Sequence, residues 1–543
     1  MTEVIAPKQS QPQRDVADPP RVWRIHGELF DLTPFLDHHP GGRDVLMTAC
    51  NMEDASALFE SYHALSNRRD VIWTQLQKFR LSSTYISQPP TQAVKRQPPI
   101  TTAVDQSTTP STAHSSARNS RSSADTAEHP TWMCDASDTT ETKTILSASP
   151  QEEVSIPHSD TAKLREAFSP DSGLYRTLQT RVRAHFIDRA KAKGIDVRDS
   201  WKATSWWTFK VSIYACLFLA ACVTGFRQRW LGLGLPFPLL VLIGFFQAVF
   251  HIACGFCVMH DASHYAVSSK PWVNELLSRL CNASQSWFHH VWARHHVYGH
   301  HSFTGDVAKD PDTRYGRPFF RKHPDDAEKK FLAVGLENQP ASALIALAVF
   351  PGQFFGQGLL YLQALFKHRY IGIPVDVLND LFTFEVVVIL LAQLQWWVFQ
   401  PWVQSLAYWG SLNILYWMCI APDHDTWESL SLNKKKAEEG GDKEEKMDWG
   451  EMQVRESSNF AVDYPVVCTL FGGINYQIEH HLFPGVSHVH YRDLAPIVRS
   501  TCQEFGVPYQ EFGSWTAALC SVVRGYWECG KLDSSAPKER KSV

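Results

Sequence analysis

The chain has no excess of basic charge: 52 Lys and Arg against 56 Asp and Glu leave a formal net charge of −4. Nucleic-acid binding requires a basic face, so that function class is set aside. The first residues, MTEVIAPKQSQPQRDVADPP, lack an apolar core behind a basic start. No cleavable signal peptide is therefore expected, and the N-terminus is expected in the cytosol. The twelve cysteines form no regular framework. Several of them (Cys216, Cys222, Cys254 and Cys419) lie in apolar runs, which predicts reduced, buried thiols. The C-x-x-C pair Cys254 and Cys257 sits in such a run and reads as two small core residues rather than a redox or zinc pair. No G-x-G-x-x-G follows a strand-like segment, so no bound nucleotide is expected.

What is present differs sharply along the 543 residues. At ~150 residues per domain the length implies several modules. Residues 1–19 are expected to be flexible, and 20–84 to form a compact α+β domain opened by the strand-like WRIHGELFDL. Residues 85–160 read as a disordered linker, because 101–150 alone holds 21 Ser or Thr with almost no aliphatic side chains and cannot bury enough surface to fold. As a flexible coil this linker would reach on the order of 50 Å. Residues 161–530 form a second, apolar and aromatic domain, and 531–543 a charged tail. The run KKKAEEGGDKEEK (434–446) reads as a solvated loop.

About 20 apolar residues cross a bilayer, and runs of that kind lie at 205–226, 236–258, 379–399 and 403–421. A fifth, 342–366, is uncharged but interrupted by Pro351, glycines and three glutamines. Histidine clusters precede this run and follow residue 421. Clusters that share a metal must lie on one side of the membrane, so an even number of crossings separates them, and 342–366 is expected to lie in the interface or re-enter. Loop charge helps little: Arg227 and Arg229 fall in the turn placed outside the cytosol, against the usual trend.

In the first domain, FLDHHPGG places His39 before Pro40, Gly41 and Gly42, and EDASALFESYH reaches His63. The glycines permit a tight turn and a close backbone approach. From the WRIHG strand to the second histidine the segment resembles a cytochrome b5 domain. That resemblance implies haem b with His39 and His63 as its two axial ligands, an iron with no open site and hence an electron carrier. Cys50 and Asn51 depart from the family's small residue and Gly, which bears on the pocket wall.

The second domain carries MHDASH, with His260 and His264 four residues apart, on one face of a helix. HHVWARHHVYGHH (289–301) follows, then APDHD with His424, and NYQIEHHLFP with Gln477, His480 and His481. Neutral imidazole suits iron, copper, zinc or nickel, and ligand type alone does not choose among them. At least seven histidines in three groups exceed the need of one tetrahedral ion and favour two metals. On an ideal helix, turning about 100° per residue, His289, His296 and His300 fall on one face, His290 and His301 near 110° from it, and His295 points away. Geometry thus sets aside His295 alone.

HDASH, HVYGHH and QIEHH resemble the three histidine boxes of membrane fatty-acid desaturases. Gln477 opening the third box resembles the cytochrome b5-fused front-end subgroup, as do the DPD at Asp310 to Asp312, DWGEMQVRESSNF and GGINYQIEHHLFPGVSHVHY. The resemblance covers about 200–515. It implies a multi-domain protein: a small α+β haem domain, a disordered linker, and an all-α integral membrane domain with about four transmembrane helices and a cytosolic di-iron cap. It also implies two non-haem irons held by His260, His264, His296, His300, His301, His480 and His481, with His424 an additional ligand and Gln477 a weak or water-mediated one. No catalytic residue separate from the metal ligands is expected. O2 is the co-substrate, electrons come from NADH through a cytochrome b5 reductase, and the substrate is a lipid or acyl-CoA. Gly305 replaces the subgroup's Asn, which bears on one outer hydrogen bond.

The reaction implied is insertion of a double bond into an acyl chain. Alternatives are a lipid hydroxylase, a desaturase of a sphingolipid base or of a secondary-metabolite alkyl chain, and a non-catalytic membrane electron-transfer haem protein. The family implies a multi-pass protein of the endoplasmic reticulum membrane with both termini cytosolic, and the KERKSV end resembles a dibasic retrieval tail.

Overall fold

A computed structural model describes residues 21–66, 68–81, 173–314, 382–431 and 448–531, with short pieces between 320 and 374. The expected N-terminal extension, the linker 85–160, the charged loop 434–446, the tail beyond Lys531 and the run 342–366 past its first residue lie outside the described residues.

Residues 21–81 begin with a hairpin of β1 (Trp23–Ile25) and β2 (Glu28–Phe30), paired Trp23 to Phe30 and Ile25 to Glu28. Its two-residue turn, His26 and Gly27, takes φ of 50° and 72°, the doubly left-handed turn that matches strand twist. Three short helices follow: α1 (Arg43–Thr48), α2 (Ser56–Tyr62) and α3 (Arg69–Gln77). Trp23, Ile25, Phe30, Leu36, Met47 and Leu58 form the core, and the Trp23 indole donates to the Leu46 carbonyl at 2.7 Å. Asn51, where a glycine was expected, holds φ at 58°. Asn tolerates that region better than most residues. Its side chain accepts from the Val22 N–H and its own N–H donates to the Val22 carbonyl, both at 2.8 Å.

The second domain is mostly helical. After α4 (Gly173–Lys193), α5 spans Ser205–Leu231. The Thr204 hydroxyl caps α5 by accepting from the Trp207 N–H, and Gly232 stops it in the left-handed region. Next, α6 (Phe237–Cys254) runs on without a break to Ser263. These two helices, each 27 residues, are long and apolar enough to cross a membrane. They turn Trp206, Phe209, Leu219, Trp230, Leu242 and Phe246 outward. An amphipathic helix, α7 (Pro271–Ser284), follows. Further on, α8 (Phe382–Leu394) continues as a wider turn to Phe399 and leads into α9 (Trp402–His424).

Helix α9 lies along α6 with little room between them: a Cβ on Gly244 would sit 2.5 Å from the Gln404 carbonyl oxygen. Where they cross, Gln404 donates to Gln247 at 2.8 Å and Gln247 to Gln400 at 3.1 Å, amide pairs of the kind that join helices in an apolar medium. Beyond the ends of these helices, α4 packs Leu178, Val182 and Phe186 against Leu494 and Val498 of α11 (Tyr491–Glu504). Between them sits α10 (Gln477–Leu482). Asn459, in a short parallel strand pair with Glu511–Phe512, fixes α10 by accepting from the Ile478 N–H at 3.0 Å and donating to Glu479 at 2.8 Å.

Candidate metal centre and haem site

His39 follows a turn of 3-10 helix and His63 ends α2. Their rings lie 6.4 Å apart, centroid to centroid, at 84°. Each is oriented by its own backbone: Nδ1 of His39 is 3.1 Å from the Gly42 carbonyl, and Nδ1 of His63 is 2.7 Å from the Phe59 carbonyl. A carbonyl only accepts, so both Nδ1 atoms carry the proton and both Nε2 atoms keep a free lone pair. That tautomer, with room for a metal at ~2 Å from each ring, fits a haem iron with two imidazoles. Gly41 is needed because a Cβ there would meet His39 Cε1 at 2.8 Å. Burial, then the neighbouring His63, pushes His39 down to about 4, so the ring is neutral and able to ligate.

The second site forms where α6, the 289–303 segment, α9 and α10 converge. His260 and His264 flank the last turn of the α6 run, with rings 5.0 Å apart. Residues Gly255–His260 and Ala293–His300 are both π-helix, a wide turn that recurs at functional sites. It places His296 and His301, five apart, with Nε2 atoms at 3.3 Å. An ideal α-helix had put His301 away from His296, and the wider turn corrects that expectation.

Two groups result. His260, His264, His296 and His480 hold their ligand atoms within 4.8 Å of one another, as do His300, His424 and His481. His301 stands between them, with Nε2 3.0 Å from that of His480 and its ring stacked at 4.3 Å on His481. His260 and His296 face each other at 3.0 Å, and His300 and His424 at 3.2 Å.

Whether these residues suit metal ions is decided by where the outward nitrogens go. Nδ1 of His300 lies 3.2 Å from both Asp310 oxygens, Nδ1 of His424 2.8 Å from the Glu456 carbonyl, and Nδ1 of His481 2.7 Å from Gln453 Oε1. Those partners are acceptors, so the protons of the neutral rings sit outside and three lone pairs converge inside. Lone pairs at such distances repel unless a cation or proton lies between them. His264 Nε2 is likewise buried with no partner. The set fits two closely spaced metal ions. Burial, reinforced by the neighbouring rings, holds His301, His480 and His481 well below the usual histidine range, as neutral donors. At His300 burial acts the same way, but the Asp310 and Asp312 charges outweigh it and raise the group: positive charge is favoured there.

Gln477 directs its amide nitrogen at Nε2 of His424 and of His481, at 2.9 and 3.1 Å, and its Oε1 is buried without a partner. Turning the amide over would present the oxygen as a ligand. Asp312 joins His296 and His300 as a third potential donor. In the sequence Asp312 and Asp310 stand out only as parts of the DPD motif. Asp310 also accepts from the Gly305 N–H at 2.9 Å. Gly305 has φ of +80°, and a Cβ there would meet Glu456 Cδ at 2.3 Å, which accounts for glycine in this chain. Tyr491, 3.0 Å from His480 Nδ1, and Tyr62, 2.9 Å from His264 Nδ1, carried no local signal in the sequence.

The remaining histidines of 289–301 belong to none of these groups. His295 bonds Asp312 at 2.7 Å, an outer contact to that candidate donor, and His289 bonds Ser278 at 2.9 Å. The His290 ring lies beside that of His289, tilted at 55° with centroids 5.5 Å apart. The described cysteines are free; Cys222 and Cys419 are buried, but Cys216 is exposed and Cys254 only half-buried, against the expectation from their apolar runs, and among the described residues no cysteine belongs to a candidate metal group. A cavity of about 120 Å³ opens beside the histidines, walled by Ile252, Phe256, Trp292, Leu412 and Tyr416, with Lys322 also in its lining.

Comparison with known proteins places this architecture. Residues 233–513 match the fatty acid desaturase family and residues 10–83 the cytochrome b5-like heme/steroid binding domain. The chain belongs to the fatty acid desaturase family, and it carries a cytochrome b5 domain ahead of the desaturase domain. It is 23% identical to an acyl-lipid (8-3)-desaturase of Mortierella alpina over 89% of this chain and 88% of that protein. With an sn-1 linoleoyl-lipid 6-desaturase of a Synechocystis strain it shares 27% identity over 68% of this chain and 98% of that protein. With an acyl-lipid (8-3)-desaturase of Physcomitrium patens the figures are 30%, 51% and 56%.

Proposed function

We propose that the protein is a membrane acyl-lipid desaturase of the front-end type, inserting a double bond into a fatty acyl chain with electrons delivered through its own haem domain. The observation that carries this reading is the convergence of two groups of histidines at the end of an apolar helix bundle, the second with its protons held outward on acceptors, in a chain that also pairs His39 with His63. Two bound irons would supply dioxygen activation and abstraction of two hydrogens from neighbouring carbons. The overall reaction balances as one dioxygen reduced to two waters by those hydrogens, two protons and two electrons delivered singly.

The chain's own residues do the rest. His260, His264, His296 and His480 would hold one ion and His300, His424 and His481 the other, with His301 between them and Gln477 contributing directly or through water. His39 and His63 would hold the haem. Ile252, Phe256, Leu412 and Tyr416 offer an apolar wall for an acyl chain, and Trp292, stacked on His296 at 4.5 Å, shields the ring from water. Lys322, which also lines this cavity, is paired with Asp425 at 3.1 Å.

The outward apolar side chains of α5 and α6 support a membrane-embedded protein. We place four crossings, α5, α6, α8 with its extension, and α9, with the histidine cap and both termini on the cytosolic side of the endoplasmic reticulum. We assign domains at 20–84 and 161–530 joined by a linker, and an NADH-dependent cytochrome b5 reductase as the electron source. Expression in yeast supplied with candidate unsaturated fatty acids, followed by mass spectrometry of total lipids, tests the reaction. A product two hydrogens lighter is expected. One oxygen heavier would mean hydroxylation, and purified protein containing haem iron alone would mean electron transfer without catalysis.

A further inference from the structure

Tyr62 is the last residue of α2 and is bonded directly to His63, the haem-ligand candidate. Its hydroxyl lies 2.9 Å from Nδ1 of His264, and the two rings are nearly parallel, 19° apart with centroids at 6.4 Å. His264 belongs to the first histidine group, and its other nitrogen, Nε2, is buried with no partner. A continuous covalent path through the His63 side chain, one peptide link and the Tyr62 side chain, closed by one hydrogen bond, thus joins a haem ligand to a metal ligand that lies about 200 residues further along the chain.

The haem domain is held in this place by several independent contacts. Arg279 of α7, with no exposed side-chain surface, is shared between Asp44 of the haem domain and Glu385 of α8. The Tyr298 hydroxyl accepts from the Asp54 N–H at 3.2 Å, and Val297 and Tyr298 enter the haem domain's hydrophobic core. Lys309 pairs with Glu53 at 2.7 Å. These contacts keep the Tyr62–His264 bond in register, whereas a tether alone would only raise the local concentration of donor near acceptor.

Electron tunnelling weakens less steeply through covalent and hydrogen bonds than across a gap between surfaces. We propose that Tyr62 is the positioning residue that connects the two redox sites, the electron passing from the haem held by His63 through the Tyr62 hydroxyl to His264 and its metal. In each event one haem iron goes from ferrous to ferric and one non-haem iron from ferric to ferrous. Tyr62 keeps its proton and is neither oxidised nor reduced, and an external NADH-dependent reductase restores the haem electron. This assignment rests on the desaturase reading above.

Tyr62→Phe in the full-length holoenzyme keeps the ring and removes the hydroxyl. Haem content, the axial-ligand absorption spectrum, non-haem iron content and the rate of haem reduction by reductase are expected to stay at wild-type values. Reoxidation of reduced haem in the presence of substrate and oxygen, followed by stopped flow, should slow at least tenfold. Product formed in a single turnover after direct chemical reduction of the non-haem iron should match wild type, since that route bypasses the haem. Wild-type reoxidation in Tyr62→Phe would overturn the proposal. So would loss of its non-haem iron or of its single turnover, which would leave Tyr62 as a mere support for His264. If wild-type haem itself is not reoxidised faster when substrate is added, the desaturase reading fails, and the Tyr62 route with it.

Discussion

His296 and His301 face each other, Nε2 to Nε2 at 3.3 Å, in the widened helix Ala293–His300 and the residue that follows it. Five α-helical steps would leave them about 140° apart. The π-helix brings them together and so lets one short segment supply three inward rings.

Replacing His296, His300 or His301 with alanine is therefore expected to abolish product and lower non-haem iron while the haem spectrum is unchanged. His295→Ala and His289→Ala should retain measurable activity, because those rings bond Asp312 and Ser278 instead. Lipid mass spectrometry and iron analysis of each purified variant check this. Complete inactivation by His289→Ala with loss of iron would mean that this ring has been wrongly left out.

Gly305→Ala forces a side chain into a left-handed position and against Glu456. The backbone strain alone costs about 1 kcal/mol or more. Moving Glu456 also disturbs the carbonyl that orients His424. Reduced iron content together with a lower thermal midpoint is the expected result; an unchanged iron content would show that Glu456 gives way freely.

Arg279→Met leaves Asp44 and Glu385 buried without their cation. Breaking such a buried group costs about 3–5 kcal/mol. Thermal unfolding of the detergent-solubilised protein should show the loss, and replacing all three residues with apolar ones should restore much of it. A full-strength loss in the triple variant would point to a role beyond charge compensation.

Glu60 is a buried carboxylate of the haem domain. Burial raises it, but hydrogen bonds from His26 at 2.8 Å and from Arg69 outweigh that and hold it below its usual value of 4.5. Its folded form thus prefers to be ionised, so its contribution is present above pH 4.5 and is lost as pH falls through the lowered value. Glu60→Gln should destabilise by about 1–3 kcal/mol at pH 7, and the difference from wild type should vanish in acid. Thermal midpoints measured across that range test the sign: a difference that widens as pH falls would contradict it.

The order of the two modules was legible in short motifs. His39, His63 and the box histidines were singled out through the resemblance of those motifs to known families, since helical spacing alone set aside only His295. The apolar runs that became α5, α6 and α9 were visible because burial or lipid exposure demands continuous hydrophobicity. The outer partners were not. Asp310 was noticed only as part of a motif, and its role as acceptor for His300 and Gly305 appears when a loop folds back. The π turns were hidden as well, since one extra residue per turn changes no composition and is held by what packs around it. Above all, the sequence by itself determined which groups can ligate a metal, because that is a property of side-chain chemistry. Only the tertiary structure decided which nitrogen of His300, His424 and His481 points inward and that Tyr62 meets His264, because both depend on hydrogen bonds between residues brought together by packing across the whole chain.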